Sequence, residues 1–160
     1  MKSNEFKNII EIDESPEIKG AEFENFVYDE IFNDKLFDVV EKTNDFDSNS
    51  RRFEERSMNP DFCFRDKRTR EKFWIEAKYR KSLSKNENGE FICKMCTRKQ
   101  LDKYKDVEER TKIKVYICLG LGGDPKSPET VYLIPVVDAH PYLFQSVLKE
   151  TLMWENPNFK

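Results

Sequence analysis

The stretch NPDFCFRDKRTREKFWIEAKY, residues 59–79, decides how this chain folds. Two strand-like runs, Pro60 to Arg65 and Lys72 to Tyr79, flank a short polar connector, Asp66 to Glu71. Runs this close predict an antiparallel hairpin. Side chains alternate across a strand, so Phe73, Ile75, Ala77 and Tyr79 share one face and Trp74, Glu76 and Lys78 share the other. An acid and a base side by side at a strand centre are costly unless they are paired or bind something. The hairpin also brings Asp61, at the start of the first run, next to Glu76 despite fifteen positions of separation.

Two carboxylates held close repel each other. A divalent cation removes that cost, and magnesium prefers one or two protein carboxylates plus waters and a phosphate. Such an ion can polarise a phosphodiester and lower the pKa of water. Lys78 then has a natural role, orienting the attacking water or stabilising charge on the transition state. Asp61, Glu76 and Lys78 are therefore the expected catalytic group for phosphodiester hydrolysis.

The pattern extends outward in both directions. The first nineteen residues are acidic and polar and read as an N-terminal arm, with the domain proper at residues 20–160. Gly20 opens an expected helix running to about Asn33, with Phe23, Phe26, Val27 and Ile31 on one arc. On that helical wheel Glu24 lies at the edge of the apolar arc and Glu22 points toward solvent, so Glu24 is the candidate auxiliary acid. A strand is expected from Leu36 to Val40, then a polar loop over residues 44–58 containing Arg51, Arg52 and Arg56. Residues 82–92 read as a loop with an Asn88-Gly89 turn. A helix follows from about Thr97 to Arg110, then a strand from Ile113 to Leu121. Gly120, Gly122, Gly123, Pro125 and Pro128 predict a loop before a strand from Thr130 to Val137, and a last helix covers about Pro141 to Leu152. The order predicts an α/β sandwich, a central mixed sheet flanked by helices on both faces.

Here the chain resembles a family. Asn59-Pro60-Asp61 followed by Glu76-Ala77-Lys78 resembles the PD…ExK signature of the PD-(D/E)xK, or restriction-endonuclease-like, nucleases. Gly20-Ala21-Glu22-Phe23-Glu24 resembles that family's first-helix motif, in which a glutamate helps hold metal. Gln100 to Tyr104 resembles the QxxxY motif of RecB-type members, and the likeness spans about residues 20–137. The resemblance implies a magnesium ion, with manganese as a substitute, held by Asp61, Glu76, Glu24 and the backbone carbonyl of Ala77. It implies a site role for Gln100, which shares an i,i+4 face with Tyr104.

The net charge of −3 excludes a global positive field, so a nucleic-acid partner requires local segregation of basic residues. That segregation is present. Residues 65–85 carry nine Lys and Arg against Asp66, Glu71 and Glu76, and Arg98, Lys99 and Lys103 follow. Arg80, Lys81, Arg98, Lys99 and Tyr104 are the expected nucleic-acid contacts, with DNA the expected partner. A duplex cutter with one site is expected to act as a homodimer. The competing expectation is a nuclease-fold module that binds nucleic acid without cutting it. Helix-turn-helix, zinc-finger and Walker A patterns are missing from the sequence. Cys93 and Cys96 form a CxxC, but a second ligand pair is missing and His140 is the single histidine, so ordinary reduced thiols are expected rather than zinc. With no run of eighteen apolar residues and no apolar leader, no membrane span and a cytoplasmic location are expected.

Overall fold

The computed structural model describes residues 15–43 and 59–150, with side chains through residue 148. Residues 1–14 of the expected arm and the Arg51, Arg52, Arg56 cluster lie outside the described residues.

Helix α1 spans Pro16–Phe26. It begins four residues before Gly20, because Ser15 accepts a hydrogen bond from the Ile18 N–H (3.3 Å) and Pro16 occupies the first turn, where its missing donor costs nothing. A π-helical turn, Val27–Ile31, continues it. Its wider spacing, with Phe32 N–H bonded to Val27 O at 2.9 Å, buries Ile31 and Phe32 together at 2% exposure each.

The strands are β1 Phe37–Lys42, β2 Phe62–Asp66 and β3 Lys72–Arg80. Then come β4 Ser84–Lys85, β5 Phe91–Lys94, helix α2 Arg98–Thr111, β6 Lys114–Asp124 and β7 Ser127–Pro135. A 3-10 turn at Val136–Asp138 leads to β8 Tyr142–Phe144 and helix α3 Gln145–Glu150. The main sheet has five strands in the order β1-β2-β3-β6-β7. β3 and β6 are parallel and the other pairs antiparallel, so the sheet is mixed as expected.

The sheet separates two apolar layers. On one side Phe23, Val27, Ile31 and Phe32 pack on Phe62, Phe64, Ile75 and Cys118. On the other, Leu101, Tyr104 and Val107 of α2 pack on Trp74, Val115 and Ile117. Strand parity therefore falls as the sequence predicts. Burying several such side chains, at about 1.5–3 kcal/mol each, fixes both helices to the sheet.

Three expectations are corrected. Residues 82–92 are not all loop: β4 and β5 form a hairpin, closed by a turn with Gly89 at φ +78°, and pair with β8 in a separate three-stranded sheet. The glycine-rich stretch after Leu119 is not a loop either. β6 runs through it and turns only at Pro125-Lys126, with Gly122 and Gly123 at φ +75° and +67° inside the ladder. The last helix does not start at Pro141, because Tyr142 to Phe144 pair with β5 first. Strands of two to four residues are too short for periodicity to reveal.

Gly120 decides how α1 sits. A methyl group there would lie 2.5 Å from the Phe23 ring, so the bare backbone lets the helix approach the sheet closely. The Tyr79 hydroxyl donates to Gly123 O (2.6 Å) and ties the end of β3 to the same corner.

Candidate active site

The hairpin register pairs Phe62 with Ile75, which sets Asp61 opposite Glu76 at the open end of β2. Two hydrogen bonds tie Asp61 to Glu76 and to its neighbour Ala77. Asp61 N–H donates to Glu76 Oε1 (3.2 Å), and Ala77 N–H donates to Asp61 Oδ2 (2.9 Å). Each carboxylate is thus aimed by the other's backbone neighbourhood. Glu76 is 7% exposed, and its second oxygen accepts the Tyr104 hydroxyl (2.5 Å) from α2. Lys78 Nζ lies 3.4 Å from that same Oε2, on the strand face that parity assigns it.

The electrostatics are strained. Burial holds the Asp61 carboxyl well above its usual range, and the charges of Glu76 and Glu24 push it further. The Asp61 carboxyl therefore holds its proton more tightly than a free carboxyl does, as an acid buried beside other acids must. The Tyr104 hydroxyl is also raised, by burial first and then by the Glu76 charge, and therefore stays a donor.

These groups line a cleft of about 570 Å³. One wall is α1, with Lys19, Gly20 and Glu24; the other is Asp61 and the strand from Glu76 to Lys81. Glu24 therefore faces the site, within electrostatic reach of Asp61. Glu22 departs from its expected position. It does not point into solvent; it pairs with Lys126 of the β6–β7 turn (3.4 Å) and is 18% exposed. Lys19 was not evident as a site residue, because it precedes Gly20; the Ser15-Pro16 start is the signal that places it on the helix.

The remaining expected residues separate. Arg80 lines the cleft but spends its guanidinium on carbonyls, donating to Lys94 O (2.6 Å), Tyr79 O (2.7 Å) and Met95 O (2.6 Å). Lys81 lies on the cleft wall. Arg98 and Lys99 are exposed in the first turn of α2. That turn is close to the site, since Cys96 feels the charges of Lys78, Glu76, Arg80 and Arg98 together. Gln100 is exposed and folded back into a capping box, accepting from Thr97 N–H (3.1 Å), so it does not join Tyr104 in the core. Tyr104 stands behind Glu76 rather than on the surface.

No family model and no curated protein matches the sequence. A solved structure does. The chain is similar to Hjc, described as a Holliday junction resolvase from the archaeal hyperthermophile Archaeoglobus fulgidus, with TM-score 0.53 and 17% identity over 84% of this chain and 91% of that one. The chain has the restriction-endonuclease-like fold. In that fold the carboxylates sit where β3 leaves the hairpin, and α1 and α2 close over opposite faces of the same strand.

The donor set fits a divalent cation held by two carboxylates. Hydrogen bonds hold the two side chains at one corner of the cleft, an all-oxygen pair of the kind a hard divalent cation takes. Among the described residues, no three His, Cys, Asp or Glu side chains converge as a ready ligand cluster. Asp61, Glu76 and Glu24 all line the cleft, with the Glu24 charge acting on Asp61. The cysteines are free: Cys93 is buried and Cys96 half-buried, with burial raising both thiols. Among the described residues, no helix is long and apolar enough to cross a membrane.

Proposed function

We propose that this chain is a metal-dependent nuclease that hydrolyses phosphodiester bonds in DNA. The observation that carries the reading is the convergence of Asp61, Glu76 and Lys78 in one cleft, with Asp61 N–H bonded to Glu76 and Lys78 Nζ 3.4 Å from it. Two carboxylates and an ammonium at one open corner are the groups that metal-assisted phosphodiester hydrolysis uses.

Asp61 and Glu76 would hold magnesium, or manganese in its place, with the Ala77 carbonyl as a further oxygen donor. The ion would supply charge neutralisation at the phosphate and a more acidic water. Lys78 holds the attacking water by donating to it, and its ammonium faces the charge that develops on the phosphoryl oxygens. Tyr104 fixes the rotamer of Glu76 so that one oxygen stays turned to the cleft. Glu24 accepts hydrogen bonds from water at the α1 wall. Lys19 and Lys81 attract the phosphate backbone to the cleft, and Arg98 and Lys99 extend that contact along the start of α2.

The DNA assignment is supported by the solved resolvase that shares the fold. The whole of residues 20–160 serves as one nuclease domain, in a cytoplasmic protein whose thiols stay reduced. Cutting both strands of a duplex calls for two such domains, hence a homodimer.

A cleavage panel tests the reading. Linear, circular, single-stranded and branched DNA, with RNA alongside, are incubated with magnesium or manganese. The expected result is metal-dependent cleavage of DNA that Glu76→Ala and Lys78→Ala abolish. Salt-sensitive DNA binding with no cleavage of any substrate would instead support the non-cutting module.

A further inference from the structure

A second cavity, of about 660 Å³, opens at the other end of β3. It is lined by Lys72 and Phe73, whereas the catalytic cleft takes Glu76 to Lys81. Lys72 and Lys78 are about 20 Å apart along an extended strand. The floor is apolar and aromatic: the Phe73 and Tyr116 rings meet edge to face, with centroids 6.3 Å apart, beside Leu133. The Phe73 ring is backed by Phe32, Phe37 and Phe64, and both Phe73 and Tyr116 stay half-buried at the edge of that apolar layer.

Four cations surround this floor: Arg70, Lys72, Lys112 and Lys114. None forms an ion pair with a described carboxylate. Of the two acids on the rim, Asp66 is already bound by Arg68 (3.0 Å), which leaves Glu71 against four positive charges. Arg70 (φ +69°) lies in the β2–β3 turn and Lys112 (φ +61°) is the left-handed cap of α2, so two chain reversals bring both cations to this cavity.

We infer that this cavity binds a nucleoside phosphate, with the base on Phe73 and Tyr116 and the phosphates among Arg70, Lys72, Lys112 and Lys114. The size falls within the roughly 300–1,000 Å³ of small-ligand sites. A peptide strand has no place to add, because β3 and β6 are central strands already paired on both sides. A free nucleotide and the terminal nucleotide of a strand present the same chemistry. The inference does not depend on the nuclease reading.

The test is calorimetric titration of the full chain in EDTA with AMP, ADP, adenosine, inorganic phosphate and a 5′-phosphorylated tetranucleotide. AMP and ADP are expected to bind at least tenfold more tightly than adenosine or phosphate alone. The double variant Lys112→Ala/Lys114→Ala is expected to lose at least tenfold in AMP affinity with an unchanged melting temperature, and Lys78→Ala to lose none. A tetranucleotide that binds more tightly than AMP assigns the site to strand ends; equal or weaker binding assigns it to free nucleotide. Absence of AMP and ADP binding at millimolar concentration would overturn the inference. So would affinity unchanged in the double variant, or lost in Lys78→Ala.

Discussion

The Tyr104 hydroxyl donates to Glu76 Oε2 across 2.5 Å, from helix α2 to strand β3. A buried carboxylate is thereby pinned from behind while its other oxygen is held by the Asp61 N–H. Tyr104→Phe keeps the ring and removes this donor. Second-sphere losses of this kind typically cost about 10–100-fold in metal affinity or activity. The expected outcome is a shift of that size in the magnesium concentration for half-maximal cleavage. Leaving the acceptor unpaired also costs about 1–3 kcal/mol in a denaturant melt.

Asp61 sets the pH behaviour of the metal-free protein. Its carboxyl is raised by burial and by Glu76 and Glu24, so the folded state holds that proton more tightly than the unfolded state does. This stabilisation is complete below the ordinary value of 3.8 and is lost as pH rises through the raised folded value. Melting temperature in EDTA is therefore expected to fall over that range, and Asp61→Asn to flatten the fall. Magnesium should restore stability most at the higher pH, by about 2.7 kcal/mol at a hundredfold excess over Kd. A metal-free melting temperature that rises over this interval, with Asp61→Asn unchanged, would count against a raised Asp61 carboxyl.

On the proposed reading, Lys78 serves chemistry rather than metal binding, and it meets Glu76 at 3.4 Å. Lys78→Ala should lower kcat by about 10²–10³-fold, the usual cost of removing one donor from a developing oxyanion. Manganese affinity, measured by paramagnetic relaxation, should hold or rise, since a positive neighbour is gone. Loss of manganese binding would mean that the lysine serves only to hold Glu76 in place.

Gly120 carries a packing prediction. Any side chain there meets the Phe23 ring within contact distance, and α1 must lift. Gly120→Val should destabilise the fold by about 1–3 kcal/mol through overpacking. Glu24 and Lys19 lie on that helix, so cleavage should fall further than the loss of folded protein explains. Phe23→Leu in the same chain should recover part of both effects.

The hairpin and the strand-face assignment of Glu76 and Lys78 were legible because they depend on neighbours within twenty residues. The five expected strands are the five of the main sheet, each long enough to show its pattern. What the chain concealed depends on distant or backbone-specific partners. Glu22 looked solvent-facing because its ion-pair partner, Lys126, is remote in sequence. Gln100 and Tyr104 share a helical face by spacing, yet a first-turn side chain folds back to cap its own helix while the next turn enters the core. Gly122 and Gly123 read as loop residues, although the ladder keeps its register through them, with Leu121 opposite Thr130 and Gly123 opposite Pro128.

The bonds that tie Asp61 to Glu76 and Ala77 also bear on the order of assembly. These residues meet when one short hairpin closes, a step that costs little loop entropy. Tyr104 reaches Glu76 only after α2 forms and β6 joins β3 in parallel, a slower and less local event. The two carboxylates must therefore tolerate each other early, before the helix that pins them has arrived. A proton or a cation present at that moment lowers the barrier, so the solution in which the chain first collapses, and not only the one in which it works, governs how readily the site is built.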